Sequence, residues 1–233
     1  MKATSFAAIV SLLTVLNCSR LLAAEDGVAL AIIYDTSGSM SDQVRNSDGK
    51  MSPKYVIANR ALLKIVDQIQ QFATNAPGGS TRRIDAGLYI FTNNGPREAV
   101  KFGPFDPAAL RRFAHDFSKP QGNTPLGNTL NTASKAVLDS PLSRKHVLVI
   151  TDGINTAGPA PAEVLPAILK RAQNGGASVS VHFVAFDVDA KVFSAVKKQG
   201  ATVVGATDET QLNAQLDYIL QKQILLESEE PTK

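Results

Sequence analysis

Three short stretches limit what this chain can become. "VALAIIY" (28–34), "HVLVIT" (146–151) and "SVHFVAF" (180–186) are apolar at nearly every position and rich in Val and Ile. A strand buried on one face alternates apolar and polar residues, whereas an unbroken apolar run belongs to a strand covered on both faces. Amphipathic stretches separate these runs. Over 52–73, Ile57, Ala61, Ile65, Ile69 and Phe72 recur at helical spacing, with Ser52 read as the cap and Pro53 as the first helical position. A second helix is expected over 127–139. A third over 161–176 carries Val164, Leu165, Ile168, Leu169 and Ala172 on one face; Pro166 falls in its first turns and Asn174-Gly175-Gly176 ends it. Further helices begin near Asp189 and Asp208, the last repeating Leu212, Leu216, Ile219 and Leu220. "RIDAGLYIF" (83–91) reads as another strand, "REAVKF" (97–102) as its hairpin partner after the turn "TNNGP", and "ATVVGA" (201–206) as a short last strand. This alternation implies an α/β domain with a doubly wound, mostly parallel central sheet, one antiparallel edge hairpin strand, and helices on both faces.

The N-terminus stands apart from that pattern. Lys2 precedes an eleven-residue apolar stretch, "FAAIVSLLTVL" (6–16), and small residues follow in "RLLAAEDG". The stretch falls short of the ~20 residues that span a bilayer, and Arg20 interrupts its extension. The expectation is a secretory signal peptide over 1–24, cut after Ala24, with Leu22 a mediocre residue three positions before the cut. An uncleaved anchor and lipidation at Cys18 are the rival readings; Asn17 before Cys18 opposes lipidation, since such signals carry a small residue there. A cut after Ala24 leaves a mature chain without cysteine, which removes disulfides, thiol nucleophiles and thiolate metal sites. An exported protein held by its core alone suits a bacterial periplasm. The domain is expected over 25–227, with no transmembrane helix in the mature chain and a disordered tail over 228–233.

Charge excludes little else. Without Lys2 and Arg20, 22 of the 24 basic residues face 21 acidic ones, a net +1. Basic pairs such as Arg82-Arg83, Arg111-Arg112 and Lys197-Lys198 are scattered, not striped, and lack neighbouring aromatics. They read as solvated faces, and a nucleic-acid partner is not expected.

Function concentrates in "YDTSGSM" (34–40), directly beyond the first apolar strand. In open parallel sheets, ligands sit beyond the carboxyl ends of the strands, near the point where strand order reverses. Asp35 lies at such an end, as does Asp152 in "VLVITDG". If Asp35, Ser37, Ser39 and Asp152 share one rim, two carboxylates and two hydroxyls converge, and Thr124 in "GNTPLGNTL" offers a third hydroxyl just before a helix. These are hard oxygen donors, suited to magnesium, manganese or calcium and poorly to zinc or copper.

Asp35-Thr36-Ser37-Gly38-Ser39 resembles the Asp-x-Ser-x-Ser signature of von Willebrand factor type A domains, and Thr124 and Asp152 occupy the other two positions of that family's metal-ion-dependent adhesion site (MIDAS). The resemblance spans about residues 27 to 226. It implies a Rossmann-like type A fold in which Ser37, Ser39 and Thr124 coordinate Mg2+ (or Mn2+ or Ca2+) through hydroxyls, and Asp35 and Asp152 directly or through water. It also implies a protein partner whose Asp or Glu replaces a water on the under-neutralised cation. Such a site binds and needs no turnover, so an enzyme is not expected. Adhesion, assembly of a surface or secretion machine, and an accessory-subunit role all remain open.

Other readings of the same residues are weaker. Haloacid-dehalogenase-like phosphatases open with Asp-x-Asp-x-Thr, so Asp35 would be the nucleophile, yet Ser37 stands where the general acid belongs. A serine hydrolase needs a histidine beside Ser37 or Ser39, but His146 and His182 fall in strands and read as core. The polar stretch from Asp42 to Met51 is expected as a rim loop beside the metal. Asp189 reads as a helix cap, and an extra metal role for Asp187 or Asp189 is the less favoured alternative.

Overall fold

Alternation inside strand β1 (Glu25–Tyr34) decides the layering. In the computed structural model, which describes residues 24–75, 81–92 and 95–226, Val28, Leu30, Ile32 and Tyr34 point to one face, and Ala29, Ala31 and Ile33 to the other. The expected signal peptide with Cys18 and the expected tail at 228–233 lie outside the described residues, Ala24 excepted. The larger set packs against α1 (Lys54–Thr74), α2 (Pro107–Asp116) and α6 (Glu209–Ile219); the smaller set packs against α3 (Leu126–Asp139), α4 (Pro161–Asn174) and the short α5 (Ser194–Lys198). Every residue from Val28 to Tyr34 is fully buried, as a run apolar on both faces requires.

The sheet contains β4 (Ile84–Thr92), β5 (Gly95–Pro104), β6 (Leu142–Thr151), β7 (Ser180–Phe186) and β8 (Thr202–Ala206) in the order β5-β4-β1-β6-β7-β8. All neighbours are parallel except β4 and β5, so the expected α/β architecture holds, with its antiparallel strand at the edge. The chain moves outward from β1 to β4 and β5, then returns to the other side of β1 to build β6. Strand order therefore reverses between β1 and β6, where a crevice must open beyond their carboxyl ends. The register pairs Tyr34 with Ile150 and puts Asp35 beside Thr151.

Local expectations met three corrections. The stretch from Asp42 to Met51 is not merely a loop: β2 (Gln43–Arg45) and β3 (Met51–Pro53) pair as an antiparallel hairpin. Its turn is closed by the Asn46 side chain, which accepts from the backbone N–H groups of Asp48 and Lys50. Such a short, polar hairpin carries too little apolar alternation to be legible as strands. Next, Ser52 does not cap α1; it pairs in β3, Pro53 takes the cap position, and the helix starts at Lys54. Finally, α6 does not run on as a regular helix but passes into a wider π-type segment over Leu220–Leu225. Asp189 caps as expected, accepting from the N–H of Lys191, and Asp208, where the last helix was expected to begin, also caps, accepting from the N–H of Gln211. Among the described residues no helix is long and apolar enough to cross a membrane.

One buried carboxylate ties the hairpin to the last helix. Glu209, 3% exposed, accepts two parallel bonds of 2.8 Å from Arg60 on α1 and a 2.9 Å bond from the N–H of Ser47 in the hairpin turn. The Arg60 guanidinium holds its carboxyl down to about 2, against the cost of burial. A depressed carboxylate stabilises the fold above its unfolded value of 4.5, and that contribution fades as pH falls toward about 2. Because Arg60 is partly solvated, Glu209→Gln is expected to cost about 1–2 kcal/mol at pH 7. Urea melts of both proteins should converge near pH 2–3; a constant gap across that range would remove this account.

Candidate metal centre

Three loops meet above the β1–β6 crevice. The first leaves β1 at Asp35 and becomes a single 3-10 turn over Gly38–Ser41, so the signature is extended at Ser37 and helical by Ser39. Thr36 anchors this loop to the end of β4: its hydroxyl donates to the Phe91 carbonyl at 2.8 Å and accepts from the Phe91 N–H at 3.1 Å. The second loop, ahead of α3, is laced to the first by the N–H of Gln121 on the Thr36 carbonyl and of Gly38 on the Gly122 carbonyl. It carries Thr124. The third follows β6 through Asp152, and Thr156 binds Thr124 twice: its hydroxyl accepts from the Thr124 N–H at 2.8 Å and its N–H donates to the Thr124 carbonyl at 3.0 Å. Backbone bonds thus hold all three loops before any ligand arrives.

The five residues named from the sequence are brought together here. Asp35, Ser37, Thr124 and Asp152 are buried at 0–5% exposure, while Ser39 is exposed at the mouth. Ser37 Oγ lies 3.1 Å from Ser39 Oγ, and Ser39 Oγ donates to Asp152 Oδ1 at 2.8 Å. Gly153 locates the remaining hydroxyl: a Cβ on its backbone would sit 3.7 Å from Thr124 Oγ1 and 3.8 Å from Ser39 Oγ. Asp35 stands behind the group, accepting from the Ser37 N–H at 2.8 Å and from the Thr151 hydroxyl at 2.5 Å. Burial, reinforced by the nearby Asp152 charge, pushes its carboxyl up to about 6 despite these bonds.

That donor set fits a hard divalent cation. Three hydroxyls and two carboxylates offer oxygen only, and two buried carboxylates that repel each other gain from positive charge placed between them. Among the described residues no three His, Cys, Asp or Glu side chains gather as a metal cluster, so a cation here rests on hydroxyls with two acids. Those acids and hydroxyls would hold it, and a bound cation would supply an open coordination position for an outside oxygen.

A further charged residue beside these five went unread in the sequence. Lys54, only 5% exposed, points its ammonium at Asp152 Oδ2 (3.1 Å) and Asp187 Oδ2 (3.0 Å). Its signal was its place three and four residues before Ile57 and Ala58, on the buried stripe of α1, where a lysine needs a partner. Asp187 itself is not among the five but reaches them through this lysine. His146 and His182 are buried in adjacent strands with their rings stacked, Nδ1 of the first 3.3 Å from Nε2 of the second, as core residues.

By sequence the chain matches no protein-family model and no curated protein. By structure it is similar to the vWF domain of the type V pili tip protein Mfa5 from Porphyromonas gingivalis, with a TM-score of 0.62 over 89% of this chain and 99% of that domain at 14% identity. The chain has the von Willebrand factor type A fold. The same fold aligns with the PilB minor pilin from Streptococcus sanguinis at a TM-score of 0.60 and 16% identity, over 84% of this chain and 61% of the pilin. It also aligns with proximal thread matrix protein 1 from the mussel byssus, a protein with a zinc-occupied MIDAS motif, at a TM-score of 0.60 and 17% identity over 84% and 48% of the two chains. The chain therefore spans less than two thirds of the pilin and about half of the thread protein.

Proposed function

We propose that this type A domain binds a divalent cation through Asp35, Ser37, Ser39, Thr124 and Asp152, and through that cation the Asp or Glu of a protein partner. The observation that carries the reading is the convergence of all five side chains, from three separate loops, at the one place where strand order reverses. The hydroxyls are neutral and Lys54 already shares the charge of Asp152, so a bound cation keeps unspent positive charge for a partner's carboxylate. Magnesium is the ion we assign, with manganese or calcium as substitutes. The pilus proteins and the byssus thread protein that share the fold favour a role in adhesion or assembly. The apolar stretch at 6–16 and the small residues before Glu25 favour export to the periplasm or beyond, with the domain over 25–227 as the working part.

A phosphatase with Asp35 as nucleophile is disfavoured by the same geometry. Asp35 is wholly buried, both its oxygens accept hydrogen bonds, and the residue two positions on is a serine that bonds Ser39. A nucleophile has to reach its phosphorus, and this carboxylate faces inward.

Partner capture from the native envelope fraction tests the proposal. Immobilised wild-type protein should retain a partner in Mg2+ and release it in EDTA, and Asp35→Ala and Thr124→Ala should retain none in either buffer. The same catch with and without chelator, and with both variants, would end the metal-bridge reading.

A further inference from the structure

Lys54 is costly where it stands. It is the first residue of α1, so its ammonium adds to the positive end of the helix dipole, and its side chain is only 6% exposed. A methionine or leucine would fill the same stripe at no such cost. What the lysine gains is three carboxylates from three segments: Asp187 Oδ2 at 3.0 Å, Asp152 Oδ2 at 3.1 Å and, more loosely, Asp42 Oδ2 at 3.9 Å. Its backbone N–H also binds the Asp42 carbonyl at 2.9 Å.

The contacts divide Asp152 into two halves. Oδ1 faces the hydroxyl group through Ser39, while Oδ2 is held by the ammonium. Asp187, on the far side of the same ammonium, sits in left-handed backbone at φ 54, a conformation uncommon for non-glycine residues that Asp and Asn adopt most readily. Lysine, Asp152 and Asp187 thus form a built arrangement across the ends of β6 and β7.

Resting on the metal-site reading above, we propose that Lys54 is a tethered cation that sets the affinity of that site. It limits Asp152 to one available oxygen and cancels part of the negative charge that attracts a divalent ion. A cation held this way binds weakly alone and more firmly when a partner's carboxylate adds the charge that Lys54 has cancelled. Lys54 is a positioning and tuning residue; it does not itself touch the metal. Asp187 moderates it by sharing the ammonium, so Asp187 strengthens the site without reaching it.

The sign of the change on substitution tests this. Direct Mn2+ titration of the full chain, without partner and followed by electron paramagnetic resonance, should show Lys54→Met binding about tenfold tighter or more, because like charges sharing one carboxylate repel strongly in a buried setting. Lys54→Gln, which removes the charge but keeps a shorter polar side chain with amide N–H donors, should move the same way and guards against a folding failure in the first variant. Asp187→Asn should bind Mn2+ more weakly, since the ammonium then bears wholly on Asp152; asparagine tolerates the left-handed backbone at 187. If Lys54 merely braced Asp152, every one of these variants would weaken binding, and weaker or unchanged affinity in both Lys54 variants overturns the inference. Thr124→Ala in the same titration separates the two ideas. Should it bind Mn2+ like the wild type, the metal site itself is wrong; should it weaken while the Lys54 variants do not tighten, only the role of Lys54 is lost. A wild type too weak to measure beside a Lys54→Met that binds also supports the inference, and no binding by either refutes it.

Discussion

Asp35→Asn should lose divalent-ion binding by on the order of 100-fold or more, yet melt in chelator at or above the wild-type temperature. Asp35 is wholly buried next to a second carboxylate, and burial with that neighbour raises its pKa to about 6. Near neutral pH the metal-free fold therefore carries a charge that its surroundings disfavour. Asparagine keeps the shape and can accept from the Ser37 N–H while removing that charge. A site that costs stability until its ligand arrives is the signature of a residue kept for function. Mn2+ titration and thermal melts in EDTA check both halves. Retained Mn2+ affinity would remove Asp35 from the site, and a melting temperature well below wild type would show that the carboxylate serves the fold.

The second large effect is structural and reaches the site indirectly. Gly127 is the second residue of α3, and a Cβ there would lie 2.1 Å from the Pro159 carbonyl oxygen and 3.0 Å from the Ala160 carbonyl carbon. Both obstacles are backbone, so neither can swing aside. Gly127→Ala is expected to cost about 2–4 kcal/mol even though alanine is the better helix former. The strain falls on the loop between β6 and α4, the same loop whose Thr156 holds Thr124 and whose Asn155 accepts from the Gly127 N–H. Chemical denaturation should show the loss, and Mn2+ affinity should fall with it. Glycine at this position matters through the close approach of two chain segments. A stability within about 0.5 kcal/mol of wild type would mean that the loop yields freely.

Much of this was legible in the residues, for definite reasons. Val28 to Tyr34 are all buried because an unbroken apolar run can only be satisfied between two helical layers, and that logic holds wherever the run lies in the chain. Asp189 and Asp208 cap because a short carboxylate ahead of a helix finds its free N–H groups within three residues. The β2–β3 hairpin was not legible, since three-residue strands of polar composition leave no period to detect and are held by Asn46 and Glu209 instead. Ser52 was misread as a cap because a serine before a proline suits both a helix start and a strand end, and pairing with Val44 decided for the strand.

The sequence by itself determined the layered α/β sheet, the rim on which Asp35 and Asp152 stand, and the oxygen-only chemistry of Asp35, Ser37, Ser39, Thr124 and Asp152. These follow from local rules: apolar periodicity, strand ends, and the hardness of the donors. Tertiary structure decided the rest. Reversal of strand order between β1 and β6 brought residues more than a hundred positions apart within a hydrogen bond, as Ser39 and Asp152 are. The same folding set Lys54 among acids from three segments, a charge balance that no stretch of the chain contains by itself. Electrostatics in a buried site depends on distance and burial, and both are fixed only when the loops have closed over one another.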